Sequence, residues 1–338
     1  MYTYIEIIPE KFTELQWRAY YRLREDLHLL FDDPITVGFE NFKKVAVNNI
    51  NENGFSIYIL MRETEMVGYL RYWITNPGHA NAQNNIVACF IPEKYMDKKM
   101  ELTLANCLKD KLKKEGHTKC LWRSSQGHIL QLIKKLGGKK SNSGAWFKLH
   151  PKKIEKKLID QWLHAVDPLK LGLTVREETF IPEELLEQTA KISTELINDM
   201  VREDDSLKFH LDTNTLKVAQ ENFKRSESKP VHLILMNKND QIIGMSLVVV
   251  HKESTIAEQR ITGVVKGWRG KGLAKWLKAK VISILLKDFD QVNEIKTECF
   301  STNAPMIQLN KALGYELYRT DHDFYIYLNS LESFLKGN

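Results

Sequence analysis

The sequence has few of the features that mark secreted, membrane or metal-binding proteins. It begins with MYTYIEIIPEKF, in which no basic segment precedes an apolar one, and no stretch approaches the roughly 18 apolar residues of a membrane span. The four cysteines, Cys89, Cys107, Cys120 and Cys299, form no CxxC pair, and the ten histidines show no HExxH spacing. These absences predict a cytoplasmic protein with reduced thiols, no membrane association and no metal ion.

The composition is that of a folded globular protein. Its 338 residues are 43% hydrophobic and 27% charged, and a chain of this length favours two domains of roughly 150 residues. The net charge of +6 suits an anionic ligand or a nucleic acid equally well. However, the lysine runs at 109–114 and 152–157 alternate with apolar residues at helical spacing and are more simply explained as solvated helix faces. We therefore expect no nucleic-acid partner.

An internal repeat divides the chain into two similar halves. The segment ETEMVGYLRYWI at 63–74 resembles NDQIIGMSLVVV at 239–250, and ILQLIKKLGG at 129–138 resembles MIQLNKALGY at 306–315. The glycines in these pairs lie 176 and 177 residues apart, which favours a duplicated domain over chance. Since both halves mix strands with crossover helices, the sequence predicts two α/β domains with mixed sheets.

We expect a first domain at 1–150, a helical linker at 151–170 and a second domain at 171–338. Hydrophobic periodicity and turn residues predict the elements of each half. The first half has a helical region at 12–49, a hairpin at 56–75, strands at 85–91, 119–124 and 145–150, and helices at 100–114 and 129–138. The second half has strands at 173–179, 255–265, 294–300 and 323–328, a hairpin at 231–251, and helices at 182–200, 273–288 and 304–314.

Glycines interrupt a basic segment, GWRGKGLAKWLK at 267–278, where a predicted strand turns into a predicted helix. The first N–H groups of a helix have no partner within it and carry partial positive charge, so a helix start attracts phosphate. Glycines at this point leave room for a phosphate to approach. The plain alternative is a turn before a basic helix. The segment is neither a P-loop, GxxxxGK[ST], nor the GxGxxG of dinucleotide folds.

Two segments resemble motifs of the GNAT N-acetyltransferase superfamily. RGKGLA at 269–274 is similar to its R-x-x-G-x-G/A signature, and NAPMIQLNKALGY at 303–315 is similar to its N-x-x-M-x-x-x-N-x-x-L-G-F/Y helix. Residues 171–328 thus resemble a complete GNAT domain. The segment at 257–278 is especially similar to a bacterial branch with two GNAT domains in one chain, which mycothiol synthase also resembles.

This resemblance implies an acetyl-CoA-dependent N-acetyltransferase that passes the acetyl group directly to an amine of a small molecule or peptide, with the chemistry in the second domain. A non-catalytic, CoA-binding regulatory protein is the alternative. The sheet would open between its fourth and fifth strands, RITGVV at 260–265 and EIKTECF at 294–300, where the thioester would lie. The implied cofactor-binding residues are Val264, Val265, Arg269, Gly270, Lys271, Gly272, Leu273, Ala274, Asn303, Asn310 and Tyr315, with the N–H groups of Val264 and Val265 facing the pantetheine arm.

The candidate catalytic residues are Glu258, Glu298 and Asn310. Glu258 precedes the fourth strand of the second domain, and strand alternation places it on the same face as Thr262. Glu298 lies on the fifth strand. Either carboxylate is a candidate general base acting through water, or simply a solvated strand residue. Asn310 stands where many GNAT enzymes carry a tyrosine, and an amide can hydrogen-bond the sulfur or pantetheine but cannot supply a proton.

The first half keeps the plan without the signature. In the sequence alignment of the two halves, Tyr95 falls at Arg269, Lys98 at Gly272 and Met100 at Ala274. A lysine in place of the glycine would fill the approach to the helix, so we expect residues 1–150 to bind no cofactor and to pack against or shape the acceptor site.

The acceptor pocket would include the loop at 198–209, whose carboxylates either attract an amine or face solvent. Cys299 replaces the asparagine expected in this branch and is most simply a buried structural thiol. The sequence does not fix the oligomeric state, and a monomer with a pseudo-twofold pair of domains is one arrangement that the repeat allows.

Overall fold

The computed structural model describes residues 1–29, 38–52, 54–74, 85–204 and 208–338. The chain divides into two compact units, of which unit 1 comprises Met1–Gly144 together with Arg319–Asn338, and unit 2 comprises Ala145–Tyr318. Both units combine helices with a mixed sheet, which confirms the predicted fold class. The sequence-based ranges place residues 319–338 in the second domain, whereas the structure packs them into unit 1.

The described residues of the first part of the chain form six strands and four helices. They are β1 (Tyr2–Glu6), α1 (Glu14–Leu29), α2 (Phe39–Glu52), β2 (Phe55–Arg62), β3 (Glu65–Ile74), β4 (Asn85–Phe90), α3 (Lys98–Lys114), β5 (Lys119–Ser124), α4 (Gly127–Lys135) and β6 (Lys139–Leu149).

In the second part, where residues 205–207 are not described, there are a further six strands and six helices. They are α5 (Lys156–His164), β7 (Thr174–Glu178), α6 (Glu183–Asn198), α7 (Thr213–Arg225), β8 (Lys229–Met236), β9 (Ile242–Val250), β10 (Ile256–Val264), α8 (Leu273–Asp288), β11 (Glu294–Phe300), α9 (Ala304–Ala312), β12 (Glu316–Tyr327) and α10 (Leu328–Lys336).

The sheet of unit 1 has the strand order β1-β2-β3-β4-β5-β12. Its pairs are antiparallel except for β4 with β5, which are parallel over three positions from Ile86 to Ala88. One face of the sheet carries α3, α4 and α10 over an apolar core that includes Leu70 and Trp122. The other face carries α1 and α2 over an aromatic cluster around Tyr20 and Tyr69. The last strand of the chain thus completes the sheet of its first unit.

The sheet of unit 2 has the order β7-β8-β9-β10-β11-β6, so the strand β6, from the first half, borders β11. The pair β10 and β11 is parallel, whereas β7, β8, β9 and β10 pair antiparallel. Helices α5 and α8 cover one face, over residues such as Leu233 and Val248. Helix α6 covers the other face, over residues such as Ile234 and Met245.

Most predicted elements lie where the sequence placed them, and α8 and β11 have the predicted bounds. Strand β1 and helices α7 and α10 were missed. The predicted linker helix is α5, and its buried Ile159 and Trp162 belong to the core of unit 2. Residues 30–37 of the predicted helical region and Thr75 of the hairpin lie outside the described residues.

The glycines that revealed the repeat have the same structural role in both units. A Cβ at Gly68 or Gly244 would come within 2.8 or 3.2 Å of a main-chain oxygen on the next strand, so each glycine allows a close approach of strands. Gly137 and Gly314 follow α4 and α9 with φ of +72° and +94°, the left-handed conformation that ends many helices. The repeat therefore reflects backbone requirements shared by the two units.

Candidate active site

The sheet of unit 2 opens between β10 and β11. Their parallel pairing covers four positions and ends at Gln259 and Thr297, whereas β10 runs on to Val264 and β11 to Phe300. We call the opening beyond Gln259 and Thr297 the fork. It lies between the two strands where the family resemblance predicts the thioester.

One main-chain N–H of β10 points toward the fork. The N–H of Val265 donates to the oxygen of Ile243 on β9 at 2.9 Å. Because N–H groups alternate between the two edges of a strand, the N–H of Val264 points to the opposite edge, where β11 has diverged. This corrects the expectation that both Val264 and Val265 face a ligand, since Val265 is used within the sheet.

The start of α8 presents N–H groups without helical partners. Gly272 is the N-cap and makes no side-chain capping bond, so the N–H groups of Leu273, Ala274 and Lys275 have no acceptor within the helix. Gly270 and Gly272 have φ of +78° and +80°. A left-handed turn before a helix start forms a concave set of N–H groups that suits an anion. We call residues 269–275 the cradle.

The glycines of the cradle are required by backbone conformation rather than by lack of space. A Cβ at Gly270 would meet no atom within 4 Å, and one at Gly272 would lie 3.8 Å from Val166. A β-carbon in the left-handed region nevertheless costs roughly 1–2 kcal/mol. The sequence analysis explained these glycines by the room that they leave for a phosphate, whereas their left-handed conformations give a different reason.

Side chains of the cradle anchor it to the rest of unit 2. The Arg269 guanidinium donates from Nε to the oxygen of Val264 (3.0 Å) and from Nη2 to Oδ2 of Asp199 (2.9 Å). Leu273 is buried in the core beneath α8, and Ala274 packs against that core. The ammonium of Lys271 lies 5.8 Å from the centre of the Trp268 ring. Arg269 thus fixes the cradle against the end of α6.

Asn310 on α9 is fully buried, and neither atom of its side-chain amide has a hydrogen-bond partner among the described residues. Burying an amide without partners costs roughly 1–3 kcal/mol, so such a group points to a ligand that completes its bonding. The predicted site residue Asn303 instead caps α9 by accepting from the N–H of Met306 at 3.4 Å. Tyr315 is buried, and its hydroxyl donates to Oε1 of Gln259.

A buried polar cluster that the sequence analysis missed lies beside the fork. Gln259 accepts at Oε1 from Lys278 Nζ (2.6 Å) and from the Tyr315 hydroxyl (3.0 Å). Its Nε2 donates to the hydroxyls of Ser246 (3.3 Å) and Thr262 (3.1 Å), which bond each other at 2.8 Å. These partners, acceptors on one side and donors on the other, therefore fix the orientation of the Gln259 amide.

The two candidate carboxylates lie away from this cluster. A β-bulge between Gln259 and Ile261 shifts the register of β10, so that Gln259 and Thr262 share a face and Glu258 lies on the opposite one. This corrects the prediction that Glu258 and Thr262 share a face, and it also places Glu258 within β10 rather than before it. Glu298 alternates with Cys299, which belongs to the core beneath α8, so Glu298 also points to the opposite face.

Glu258 is held in its ionised form. His251 Nε2 lies 3.4 Å from one oxygen and Arg260 Nη2 3.0 Å from the other. Burial opposes ionisation, but the hydrogen bond with His251 and the charge of Arg260 outweigh it and lower the pKa of Glu258 to about 2. A base accepts protons best when its pKa is near the working pH, so this environment disfavours Glu258 in that role.

The corresponding helix start in unit 1 is closed by its own side chain. Asp97 is the N-cap of α3, as Gly272 is of α8, and its Oδ1 accepts from the N–H of Met100 at 2.9 Å. This corrects the alignment of Lys98 with Gly272, because Lys98 is the first helical residue. A carboxylate here satisfies the helix start and repels phosphate.

Side chains also occupy the end of β4 in unit 1. The oxygen of Ile91 accepts from Gln126 Nε2 at 2.8 Å and from His128 Nε2 at 2.9 Å. The next residue is Pro92, which has no N–H to offer. Side chains of α4 and the residue before it therefore occupy this strand end in unit 1.

Comparison with known proteins identifies the second half of the chain. Residues 190–331 match the sequence model of the acetyltransferase (GNAT) domain. This part of the chain is a GNAT domain. The matched residues include both strands of the fork, the cradle and α9. The match confirms the prediction that the chain contains an acyltransferase domain.

Solved structures extend the likeness to the whole chain. A tandem GNAT protein from the clavulanic acid biosynthesis pathway is 14% identical with a TM-score of 0.71, and the alignment covers 97% of this chain and 99% of that one. A GCN5-related N-acetyltransferase from Sphaerobacter thermophilus is 13% identical with a TM-score of 0.68, covering 97% and 96%. At such identities the likeness shows a tandem GNAT fold, as the resemblance predicted. No curated protein sequence matches the chain.

Two features are absent from the residues that the structure describes. In this part of the chain, no helix is long and apolar enough to cross a membrane. Nor do these residues contain a group of three or more His, Cys, Asp or Glu side chains arranged to hold a metal ion.

Proposed function

We propose that the chain is an acetyl-CoA-dependent N-acetyltransferase whose chemistry takes place in unit 2, with an amine of a small molecule or peptide as acceptor. The GNAT fold supports acyl transfer in general. The observation that carries the finer proposal is the cradle, in which left-handed Gly270 and Gly272 precede N–H groups that have no acceptor within α8. A cytoplasmic location remains a prediction from the sequence.

Three groups would hold the acyl donor. The N–H groups of Leu273, Ala274 and Lys275 suit its pyrophosphate, because they carry partial positive charge and no side chain caps them. The N–H of Val264 suits the pantetheine arm. The buried amide of Asn310 would gain the hydrogen bonds that it lacks. Bound acetyl-CoA would supply an acyl group attached to a thiol leaving group.

We propose one such site in each chain. In unit 1 the carboxylate of Asp97 occupies the helix start, and Gln126 and His128 occupy the end of the neighbouring strand. An acyl donor would have to displace all three side chains and bring its phosphates to a carboxylate. Unit 1 would then serve the protein without binding acetyl-CoA, by packing or by shaping the acceptor site.

The general base and the acceptor pocket remain predictions. Of the two candidate carboxylates, Glu298 is the better choice, because His251 and Arg260 hold the proton affinity of Glu258 low. The predicted acceptor loop at 198–209 is anchored at its ends by Asn198, whose side chain bonds the N–H and oxygen of Phe209. Residues 205–207 of that loop lie outside the described residues.

Calorimetric titration of the full chain with acetyl-CoA tests the proposal. We expect one site for each chain, and a second site would contradict the assignment of unit 1. Absence of binding would contradict the proposed function as a whole. Release of CoA thiol with a panel of amines then tests catalysis. Binding without release for any amine would favour the alternative of a CoA-binding regulator, which the asparagine at 310 also suits.

A further inference from the structure

Lys278 is a buried cation in the second turn of α8. Its side chain is 1% exposed, and its Nζ donates to Oε1 of Gln259 at 2.6 Å and lies 5.1 Å from the centre of the Tyr315 ring. Within the described part of the chain it forms no ion pair with a carboxylate. An ammonium has three donors, so this one can still donate to a ligand.

The contacts of Lys278 place its ammonium at the base of the fork. Gln259 is the last residue of β10 that pairs with β11. Cys299, which interacts electrostatically with Lys278, lies two residues beyond Thr297 on the diverged part of β11. Lys278 is therefore flanked by the strand that forms one side of the fork and by a side chain from the other.

The titratable groups around Lys278 differ in how readily they give up a proton. Burial lowers the pKa of Lys278 to about 7, and the nearby Cys299 opposes this only in part. Burial raises the pKa of Cys299 to about 11, and it also raises the pKa of Tyr315. Of these three groups, Lys278 alone exchanges its proton near neutral pH, where a general acid works best.

The proposed reaction needs a proton donor that the site has not otherwise supplied. A thiolate leaves the acyl carbon, and the amide of Asn310 cannot protonate it. We propose that Lys278, given the function proposed above, donates a proton to the sulfur of the departing CoA. The proton donor would then lie on α8 beside the fork, rather than at the position on α9 where the family resemblance implies a tyrosine.

The nitrogen of the acceptor amine forms a bond to the acyl carbon, the carbon–sulfur bond breaks, and the sulfur keeps its electron pair. The Lys278 ammonium gives its proton to that sulfur, which yields the CoA thiol and a neutral amine on Lys278. The acceptor nitrogen loses one proton to a base or water, and Lys278 regains one from solvent.

A titration of bound CoA tests this without any acceptor. In a Cys299→Ser background, the thiol of CoA is titrated by ultraviolet absorbance of its thiolate, free and bound. We expect the thiolate absorbance of bound CoA to begin rising at lower pH than that of free CoA, because a thiolate that forms beside Lys278 keeps the lysine protonated and is stabilised by its charge. In Lys278→Met the difference should disappear, whereas Lys287→Met, an exposed lysine on the same helix, should preserve it.

Turnover gives a second readout once an acceptor is found. Loss of a general acid lowers kcat by about 10²–10⁴-fold, so we expect Lys278→Met to fall in that range with little change in KM for acetyl-CoA. Lys278→Gln, which keeps a hydrogen-bond donor but no transferable proton, should be equally slow. A Lys278→Gln variant as active as wild type would overturn the inference.

The two proposals fail in different ways. If neither wild type nor variants bind CoA, the proposed function is wrong and this inference falls with it. If all bind CoA and Lys278→Met leaves the ionisation of the bound thiol unchanged, the inference is wrong and the proposed function stands.

Discussion

Replacing Gly272 by aspartate would give α8 the same N-cap residue that closes α3. In unit 1 the Asp97 carboxylate accepts from a first-turn N–H at 2.9 Å, whereas Gly272 makes no such bond. In Gly272→Asp the new carboxylate would lie beside the N–H groups proposed to bind pyrophosphate and would repel its charge. We expect the variant to fold and to lose its affinity for acetyl-CoA.

The size of each effect follows from the geometry. Aspartate in place of a glycine N-cap stabilises a helix by only roughly 0.3 kcal/mol, whereas the left-handed conformation at φ +80° costs roughly 1–2 kcal/mol, so we expect the variant to be about 1 kcal/mol less stable. Two lost hydrogen bonds to a charged phosphate, at roughly 1.5 kcal/mol each, amount to about 3 kcal/mol. That loss corresponds to roughly a 100-fold weaker affinity for acetyl-CoA.

Thermal unfolding with and without CoA measures this loss. At a ligand concentration about 100 times the dissociation constant, the wild type gains about 2.7 kcal/mol, which raises Tm by roughly 5–10 °C in a unit of this size. The variant would gain only about 0.4 kcal/mol, or roughly 1 °C. Gly172→Asp is the matched control, because Gly172 has φ +71° with no atom within 4 Å of its would-be Cβ and lies outside the cradle. An undiminished shift in Gly272→Asp would refute the placement of the pyrophosphate.

Three further predictions concern stability. Asn310→Leu should raise the free energy of unfolding in urea by about 1–3 kcal/mol, because a buried amide without partners is removed, and should weaken CoA binding; a less stable variant would contradict the bonding described for this residue. Gly263→Ala should lower stability by about 1–3 kcal/mol because its Cβ would lie 2.8 Å from a methyl carbon of Leu196, while Gly267→Ala, with open space, should change it by less than about 0.5 kcal/mol. Because the unfolded chain holds the proton of Lys278 more tightly than the folded one, stability should rise with pH between about 7 and 10.5, by up to roughly 5 kcal/mol. Denaturant titrations across that range should show this rise in the wild type and a smaller one in Lys278→Met.

The elements of the fold were predictable where local patterns are strong. Helix α8 and strand β11 have the predicted bounds because their apolar residues and flanking glycines or turns mark both ends. Helix α7 was missed although Asp212 caps its start, because Phe223 is its one buried residue and gives a weak pattern. The placement of β12 in unit 1 was not predictable from local signals, since it depends on pairing between residues about 200 positions apart, as in the bond from Arg123 to Asp323.

The candidate site likewise has features that were predictable from the sequence and features that were not. The cradle was predictable because left-handed glycines before a helix leave a mark in the sequence. The side of β10 that Glu258 occupies was not, because a bulge reverses strand alternation without any signature residue. The burial of Lys278 was predictable, because this residue lies at helical spacing between Ala274 and Val281, on the apolar side of α8 that faces the core. A lysine on the apolar side of a helix indicates a specific role, because burial of its charge is costly.

The position of β12 also has a consequence for how the protein is made. During synthesis β5 emerges from the ribosome about 200 residues before β12, so unit 1 remains without this edge strand until β12 has been translated. Unit 2 includes strand β6, which emerges early, and it can complete its sheet first. The C-terminal half is then expected to fold ahead of the N-terminal half, contrary to the order of translation. A stalled or truncated product would expose the unpaired edge of β5, an edge of the kind that promotes aggregation.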